Sequence, residues 1–338
     1  MMTAREAFRS TPPLRGEMRL NELLADHTSW LVGGPAERFY LPADLDDLVA
    51  FLTTLPPDEP LFWLGLGSNL LVRDGGIPGT TICTRNRLKT MVRSGEGRVY
   101  VESGVPCAHV AKFCAEQGLV GAEFLAGIPG TMGGALAMNA GAFGGETWTI
   151  VERVTTVDRR GIRRDRDPSD FTVGYRSVKG PEGEWFLACE LSLAAGDGTA
   201  SREKIKGLLA RRNETQPTNL PSCGSVFRNP EGDFSARLIE ACGLKGYTIG
   251  GAQVSEKHAN FIINTGSATA ADMETLVFHV QAEVLRVHGR ELIPEVRIVG
   301  VEQLPVVSAQ PSENDADYGQ ATTDNRQPIT DHCTPEAQ

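Results

Sequence analysis

The sequence predicts an α+β protein with more than one domain. Its length of 338 residues favours two or three domains, at roughly 100–200 residues per domain. Residues 150–158 and 185–193 have the apolar patterns of strands in a region rich in hairpin signals, and separate stretches have one apolar face at helical spacing. Hydrophobic residues make up 41% and charged residues 22% of the chain, as in ordinary globular domains with a buried core.

The first half of the chain combines short helices with short strands. A helix is predicted from Asp44 to about residue 55, because Asp44 can cap the first N–H groups and the apolar residues that follow share one face. A second helix, over residues 109–117, ends at Gly118, which suits a left-handed C-terminal cap. Strands are predicted at residues 61–66, 80–84 and 98–102.

The second half begins after a turn cluster at residues 194–199, which predicts a domain boundary. A long helix is predicted over residues 272–287, because Thr269 and Asp272 resemble a capping box and Gly289 can stop the helix. The remaining predicted elements are a helix over residues 202–211, a short strand over residues 295–301 and a disordered polar tail after Ser308.

Charge and composition exclude several classes of function. The formal net charge is −10, and the most basic stretch, residues 153–166, is interleaved with acidic residues, so no nucleic-acid partner is expected. No apolar run reaches about 18 residues and the N-terminus lacks the apolar centre of a signal peptide, so we expect no membrane insertion. The seven cysteines form no C-x-x-C pair, which argues against a metal site and favours reduced thiols in a cytoplasmic protein.

Two glycine-rich segments carry the strongest chemical signal. Residues 65–76 follow a predicted strand directly, and residues 127–145 contain seven glycines. Glycine permits positive φ and a close approach to the backbone, and successive free N–H groups form a nest for anions. Hydroxyl groups of Ser68 and Thr131 can add donors, and a helix beginning near Met132 would direct its positive end at a phosphate. Both segments therefore predict a phosphate or cofactor site, although tight turns and close packing are the alternative explanation.

The glycine patterns do not identify the ligand. No G-K-[ST] follows either segment, which disfavours a phosphate-loop ATPase. Gly65 and Gly67 are followed by Leu70 where the dinucleotide fingerprint has its third glycine, which disfavours a plain Rossmann dehydrogenase.

Seven motifs occur in the order found in one family. They are GSNLLV (67–72), AGIPGTMGGALAMNAGAFG (126–144), GYR-S (174–177), PSCGSVFRNP (221–230), LIEACGLKG (238–246), GGAQVSEKHANFIIN (250–264) and PEVRIVG (294–300). From about Asn21 to Gly300 the chain resembles the UDP-N-acetylenolpyruvoylglucosamine reductases of peptidoglycan synthesis. The resemblance implies FAD as cofactor, NADPH as reductant and UDP-N-acetylglucosamine enolpyruvate as substrate, whose enolpyruvyl ether is reduced to a lactyl ether.

The resemblance also implies a fold in two main parts, a FAD-binding region of the vanillyl-alcohol-oxidase type and an α+β substrate-binding domain. A monomer is expected, although the sequence does not settle the oligomeric state. The expected parts are a flexible arm (1–18), the FAD-binding domain (19–198, with subdomains of about 19–85 and 86–198), the C-terminal domain (199–304) and a disordered tail (305–338). The implied FAD contacts all lie in the two glycine-rich segments: Gly65, Gly67, Ser68, Asn69, Leu70, Gly127, Ile128, Gly130, Thr131, Gly133, Gly134, Asn139 and Gly141.

Three residues match the family's catalytic positions. Arg176, in GYR, matches an arginine whose guanidinium stays charged and can grip a carboxylate in a bidentate fork. Ser225, in CGSVF, matches the proton donor, a weak acid that serves only beside a strongly basic carbanion-like species. Glu295, in PEV, matches a residue that polarises the enolpyruvyl group or relays a proton. Without the motifs, each would be interpreted as a surface ion-pair, turn or solvated residue.

Substrate contacts are implied at Tyr175, Arg228, Asn229 and Gln253. The chain resembles the shorter, type II form of the family, since the stretch between Tyr175 and Ser225 contains no tyrosine and no inserted loop. The motif usually written FKNP is FRNP here, so Arg228 keeps the positive charge but not the compact ammonium group.

Two other functions remain open at this point. A different flavoenzyme of the same cofactor fold, such as a sugar or alcohol oxidase, would not need NADPH and would lack the motifs of Ser225 and Glu295. A non-catalytic binding protein for UDP-sugars would hold no flavin and would leave the glycine-rich segments unexplained.

Overall fold

The computed structural model describes residues 13–303. The predicted disordered tail over residues 305–338 lies outside this range, and so does most of the predicted arm over residues 1–18, whose last two residues belong to the first strand. None of the helices in this range is long and apolar enough to cross a membrane. The six α-helices of residues 13–303 are α1 (Leu45–Leu52), α2 (Cys107–Glu116), α3 (Met132–Met138), α4 (Gly198–Thr215), α5 (Ser235–Ala241) and α6 (Ala270–His288).

The strands are short and fall into several sheets. In chain order they are β1 (Glu17–Leu23), β2 (Pro35–Leu41), β3 (Leu61–Leu64), β4 (Leu70–Val72), β5 (Ile77–Cys83), β6 (Met91–Gly95), β7 (Arg98–Glu102), β8 (Leu119–Val120), β9 (Gly141–Ala142), β10 (Gly145–Glu146), β11 (Val151–Asp158), β12 (Arg163–Arg166), β13 (Thr172–Gly174), β14 (Ser177–Lys179), β15 (Glu184–Ser192), β16 (Ala194–Ala195), β17 (Thr248–Ile249), β18 (Ala252–Val254), β19 (Ile262–Asn264) and β20 (Arg297–Val299). The predicted α+β arrangement is therefore present.

The first sheet has the strand order β1-β2-β5-β3. β1 runs antiparallel to β2, whereas β2 and β3 both run parallel to β5. Helix α1 packs on this sheet through Leu48 and Phe51, which are buried with Ile82 of β5. Asp44 caps α1 as predicted, since its side chain accepts a hydrogen bond from the Asp47 N–H. Because β3 ends at Leu64, the chain leaves this sheet directly into the first glycine-rich segment.

The second sheet is antiparallel throughout, in the order β12-β11-β15-β7-β6. The strands predicted at residues 150–158 and 185–193 are β11 and β15 at its centre. Val101 and Leu191 of this sheet are buried in one cluster with Val110 of α2 and Leu136 of α3. Gly118 follows α2 at a φ of 67°, as the predicted left-handed cap requires. The second glycine-rich segment is thus anchored on the sheet through α3.

The C-terminal part packs α5 and α6 with the sheet β17-β18-β19. Thr269 and Asp272 form the predicted capping box at the start of α6, and Gly289 ends the helix at a φ of 63°.

Residues from the start of the chain complete the C-terminal core. Trp30 and Leu71 are buried in the same cluster as α6, and the Trp30 Nε1–H donates to the Ile262 carbonyl at 2.7 Å. Strand β20 pairs in parallel with β4, directly after the first glycine-rich turn. The C-terminal part is therefore tied to the segment that precedes β4.

Helix α4 packs on α2 and on the 3-10 helix Glu123–Gly127. The buried Glu123 carboxylate accepts hydrogen bonds from Ser201 Oγ at 2.8 Å and from Lys204 Nζ at 3.1 Å. Burial alone would raise the pKa of Glu123, but these hydrogen bonds, together with one from the Gly121 N–H, outweigh it and leave the pKa below its ordinary value. Glu123 therefore acts as the anchor of α4.

Replacing Glu123 with Ala is expected to lower the free energy of unfolding by about 2–3 kcal/mol, because the Ser201 hydroxyl loses its buried acceptor. Chemical denaturation measures this change. Lys204→Ala is the matched control: its side chain is 61% exposed, so a loss below about 1 kcal/mol is expected. Equal losses in the two variants would contradict the anchoring role of the buried carboxylate.

Candidate active site

A cavity of about 360 Å³ opens between the first and second sheets. Its size falls in the range of about 300–1,000 Å³ that is typical of ligand sites. Ten of the thirteen residues predicted to contact FAD line this cavity: Gly65, Gly67, Ser68, Asn69, Leu70, Ile128, Gly130, Thr131, Gly133 and Gly134. The fold therefore brings the two glycine-rich segments together on one cavity wall.

The first glycine-rich segment supplies unpaired backbone donors. In the part of the chain that the structure describes, the N–H groups of Gly67, Ser68 and Asn69 donate to no backbone carbonyl. Gly67 has a φ of 64°, which is the left-handed conformation that a nest of converging N–H groups requires. This turn is the better anion cradle of the two segments.

The second segment contributes space and hydroxyl groups more than N–H donors. The N–H groups of Met132 and Gly133 are used internally, since they donate to the carbonyls of Val105 and Ser103 at 2.9 and 2.8 Å. At Gly134 a Cβ would meet no neighbour closer than Thr131 Oγ1 at 3.9 Å, so a side chain there would project into the open cavity. The small residues of this segment thus keep room for a ligand.

Buried polar atoms at the cavity wall fit a polar cofactor. Among residues 13–303, Thr131 Oγ1, Ser103 Oγ and Trp63 Nε1 are buried without a hydrogen-bond partner, and all three residues line the cavity. Such groups are costly to bury unless something supplies an acceptor. Phosphate, ribose and base oxygens and nitrogens of FAD supply acceptors of this kind, so the residues present fit FAD.

A second cavity of about 220 Å³ contains all three predicted catalytic residues, Arg176, Ser225 and Glu295. It adjoins the first cavity, because both share five lining residues: Ser68, Asn69, Ile128, Met138 and Ala140. Residues that are 119 positions apart in the chain, Arg176 and Glu295, form an ion pair here at 2.7 Å. Groups bound in the two cavities would therefore face each other across a shared boundary.

Arg176 is held in a strained and well-defined position. It sits in the tight turn between β13 and β14 at a φ of 52°, a left-handed conformation that is uncommon for a residue other than glycine. Its Nη2 donates to the Gly141 carbonyl at 3.0 Å, and its Nε donates to Glu295 Oε1. The hairpin thus presents the guanidinium to the second cavity in one orientation.

Glu295 and Ser225 are brought together by backbone pairing. The Glu295 N–H donates to the Val226 carbonyl at 2.7 Å, next to Ser225. The Asn260 side chain holds the same turn, since it accepts from the Phe227 N–H and donates to the Phe227 carbonyl. Both side chains therefore reach the cavity from adjacent extended segments.

The environment of Glu295 shifts the pKa of its carboxyl. Its side chain is 11% exposed, and burial raises the pKa of its carboxyl above the ordinary value, although Arg176 opposes the shift. A carboxyl with a raised pKa is suited to exchange protons nearer to neutral pH than an exposed one.

Two family models match the chain. One, described as FAD binding domain, matches residues 36–165, and one, described as UDP-N-acetylenolpyruvoylglucosamine reductase, C-terminal domain, matches residues 216–299. The UDP-N-acetylenolpyruvoylglucosamine reductase of Methylococcus capsulatus is 68% identical to this chain over 303 residues, which cover 89% of this chain and 100% of that protein. The chain belongs to the UDP-N-acetylenolpyruvoylglucosamine reductase family. It is a flavin-dependent oxidoreductase with FAD as its cofactor.

Other members of the reductase family give the same result. The protein of the same name from Alkalilimnicola ehrlichii is 62% identical over 288 residues, covering 85% of this chain and 96% of that protein. The crystal structure of the Thermus caldophilus reductase aligns with a TM-score of 0.73 and 33% identity, over 84% of this chain and 98% of that chain. The predicted fold class, a FAD-binding region followed by a C-terminal α+β domain, is confirmed.

Some residues predicted for this reductase lie elsewhere. Asn139 lines neither cavity; it ends α3 at a φ of 48°, and its amide bonds Glu146, the Gly174 carbonyl and the Trp148 N–H. The remaining two predicted FAD residues, Gly127 and Gly141, line the second cavity instead of the first.

The predicted substrate residues are also distributed unevenly. Arg228 Nη2 donates to the Arg176 carbonyl at 3.3 Å, which places Arg228 beside the backbone of Arg176. Tyr175 is 50% exposed beside Arg176, whose guanidinium lies 5.3 Å from the ring centroid. Asn229 accepts from the Ser235 N–H at the start of α5, and Gln253 bonds the Gly246 carbonyl. None of the four lines either cavity.

Sequence reasoning missed many residues that line the cavities, among them Arg297, Arg212 and Phe143. Arg297 lines the first cavity. It lies two positions after Glu295, and in that motif only the Glu295 carboxylate was predicted to have a role. Arg212 and Phe143 line the second cavity, and Phe143 has a φ of 54° in the turn between β9 and β10. Strain at an exposed aromatic residue is a structural signal, whereas nothing local in the sequence distinguishes Arg212 from the neighbouring arginine.

Proposed function

We propose that this chain reduces UDP-N-acetylglucosamine enolpyruvate to UDP-N-acetylmuramate with NADPH as the reductant. The observation that carries the proposal is the shared boundary between the two cavities. A cofactor in the first cavity and a substrate in the second would meet at Ser68, Asn69, Ile128, Met138 and Ala140. Arg176, Ser225 and Glu295 stand on the substrate side of that boundary.

Arg176 and Ser225 are proposed to act on different parts of the substrate in the second cavity. When bound, FAD supplies the hydride that the methylene carbon of the enolpyruvyl group accepts. The neighbouring carbon then gains negative charge, which the Arg176 guanidinium can stabilise through the substrate carboxylate. Ser225 Oγ delivers its proton to that carbon and regains one from solvent, so that one hydride and one proton add across the double bond.

Glu295 is proposed to support the other two residues. As a carboxylate it holds the Arg176 Nε at 2.7 Å and so fixes the direction of the guanidinium fork. Because burial raises the pKa of Glu295, it can also relay a proton toward the site. We retain Tyr175, Arg228, Asn229 and Gln253 as contacts for outer parts of the UDP-sugar, which would reach beyond the small second cavity.

Arg212 is proposed to bind an anionic group of the substrate. Within the described range its side chain contacts no carboxylate, and its Nε donates only to Gln216 Oε1, at 3.1 Å. Burial lowers the pKa of this guanidinium, which nevertheless remains charged at neutral pH because an arginine pKa starts so high. A half-buried cation of this kind in a substrate cavity calls for a carboxylate or phosphate partner.

Replacing Arg212 with Gln is expected to raise the KM for the enolpyruvyl substrate about 10–100-fold, with a smaller fall in kcat, because a charge-assisted contact is lost. Steady-state kinetics measure both constants. Arg211→Gln is the matched control, since Arg211 is the exposed neighbour on the same helix and should change KM less than about twofold. A KM that stays unchanged in the Arg212 variant would contradict its contact with substrate.

The test of the function is NADPH oxidation with and without UDP-N-acetylglucosamine enolpyruvate. Substrate-dependent oxidation that yields UDP-N-acetylmuramate supports the proposal. Rapid oxygen-dependent reoxidation of the flavin with no need for substrate would favour an oxidase instead. A purified chain without the flavin absorption bands would favour a UDP-sugar binding protein.

We also propose that the chain acts in the cytoplasm as a monomer. The chemistry supports this location, since NADPH and nucleotide sugars are substrates of the cell interior and the cysteines form no predicted disulfide frame. The division at residue 199 stays a prediction, and the packing of α4 on α2 favours a C-terminal domain that begins after α4.

A further inference from the structure

The part of the first cavity that is not shared with the second has an aromatic wall. Trp63 of β3 and Trp185 of β15 stack with ring centroids 5.3 Å apart and an interplanar angle of 21°. Both line the first cavity, and neither lines the second. The pair therefore bridges the two sheets that enclose the cavity.

One side of the tryptophan pair packs against the protein core, and the other side is partly exposed. Both rings pack against the buried cluster that contains Leu48 and Ile82, yet each keeps part of its surface exposed. The Trp63 Nε1–H is buried without an acceptor in the part of the chain that the structure describes. A flat ligand with a π face and a ring nitrogen acceptor would satisfy both features.

The order of groups along the cavity determines which part of a cofactor reaches this wall. The reacting ring of a flavin dinucleotide must lie toward Arg176 and Ser225, at the shared boundary of the cavities. The nest at Gly67 and Ser68 lies at this boundary, since Ser68 lines both cavities and Gly67 lines only the first, and it suits the diphosphate. The opposite end of the dinucleotide, its adenine, then occupies the part of the first cavity that the second does not share, whose lining includes Trp63 and Trp185.

We propose that Trp63 and Trp185 form the adenine-binding wall of the flavin site and make the chain selective for FAD over FMN. The inference rests on the proposed flavoenzyme function, and it assigns a role to two residues that the catalytic scheme does not use. Adenine offers an aromatic face for packing and ring nitrogens as acceptors for the Trp63 Nε1–H. FMN lacks the adenylate and would leave the wall without a partner.

The experiment compares ligands that share only part of the cofactor. The full chain, freed of flavin, is titrated with FAD and FMN by flavin fluorescence, and with 5′-ADP by tryptophan fluorescence. Trp63→Leu and Trp185→Leu are each expected to weaken FAD binding about tenfold, and to change FMN binding less than about twofold. In the unmodified chain 5′-ADP should quench tryptophan fluorescence, and the quenching should disappear in a Trp63→Phe, Trp185→Phe double variant that keeps Trp30 and Trp148.

Two controls keep the result decisive. Trp63→Phe retains an aromatic face but no N–H, so it should weaken FAD binding less than Trp63→Leu does. Normal FMN binding in each variant shows that the fold and the phosphate nest are intact. Unchanged FAD affinity in both leucine variants, or equal losses for FAD and FMN, would overturn the inference and leave the flavoenzyme function standing. Failure of the unmodified chain to bind FAD would overturn both.

Discussion

A Ser225→Ala variant is expected to lose turnover of the enolpyruvyl substrate by about 10²–10⁴-fold while its bound flavin is still reduced by NADPH at the normal rate. The first half of the reaction needs no proton donor at the substrate. The second half needs one, because the carbon beside the substrate carboxylate must be protonated after hydride addition. Alanine removes the hydroxyl proton and leaves the backbone of the turn unchanged.

Stopped-flow absorbance separates the two halves of the reaction for this variant. NADPH alone should bleach the flavin band, and addition of substrate should then fail to restore it on the normal time scale. Ser222→Ala is the control, since Ser222 lies in the same segment and does not line the second cavity; its two rates should stay within about twofold. Normal flavin reoxidation by substrate in the Ser225 variant would remove Ser225 from the mechanism.

The capped helix ends at Asp44, Thr269 and Gly289 were predictable because caps are local. Asp44 and the pair Thr269 and Asp272 satisfy the first N–H groups of their helices within three residues, and Gly289 adopts positive φ at no steric cost. Strand β1 could not be predicted in this way, because most of its residues are exposed and none is buried, so it has no regular alternation of buried and exposed residues. It is held by pairing with β2, which local sequence does not reveal.

Both glycine-rich segments line the first cavity, but their contributions differ from the simple expectation. Gly133 lines the cavity while its N–H donates to the Ser103 carbonyl, so it provides room and not a donor. Asn139 holds the hairpin of Arg176 through the Gly174 carbonyl instead of lining a cavity. A motif identifies the residues of a candidate site, whereas only the fold shows whether a residue lines the cavity or holds other residues in place.

Contacts between residues far apart in the chain account for the parts of the site that the sequence did not predict. Arg212 reaches the second cavity because α4 packs on α2 and its last turn lines that cavity, a result of contacts between residues far apart in the chain. The ion pair of Arg176 with Glu295 likewise joins two motifs that the sequence separates by 119 positions. Periodicity and caps carry no information about such pairs.

The Glu295→Gln variant is expected to lower kcat for the enolpyruvyl substrate by about 10²–10³-fold, because Arg176 loses the carboxylate that orients it and the proton relay is removed. Flavin reduction by NADPH should again stay normal. In the unmodified chain the substrate-dependent rate should fall on acidification through the raised pKa of Glu295, at a higher pH than an ordinary carboxyl would give. The variant should lack this acid limb.

The pH dependence of stability in the unmodified chain and in Glu295→Gln gives an independent test of the raised pKa of Glu295. A carboxyl whose pKa is higher in the folded chain than in the unfolded chain favours folding at low pH, and this contribution is lost as the pH rises through the folded value. The unmodified chain should therefore lose stability between acid and neutral pH relative to Glu295→Gln, as measured by denaturant unfolding at several pH values. The opposite slope would mean that attraction to Arg176 outweighs burial, and Glu295 would then be an orienting anion without a part in proton transfer.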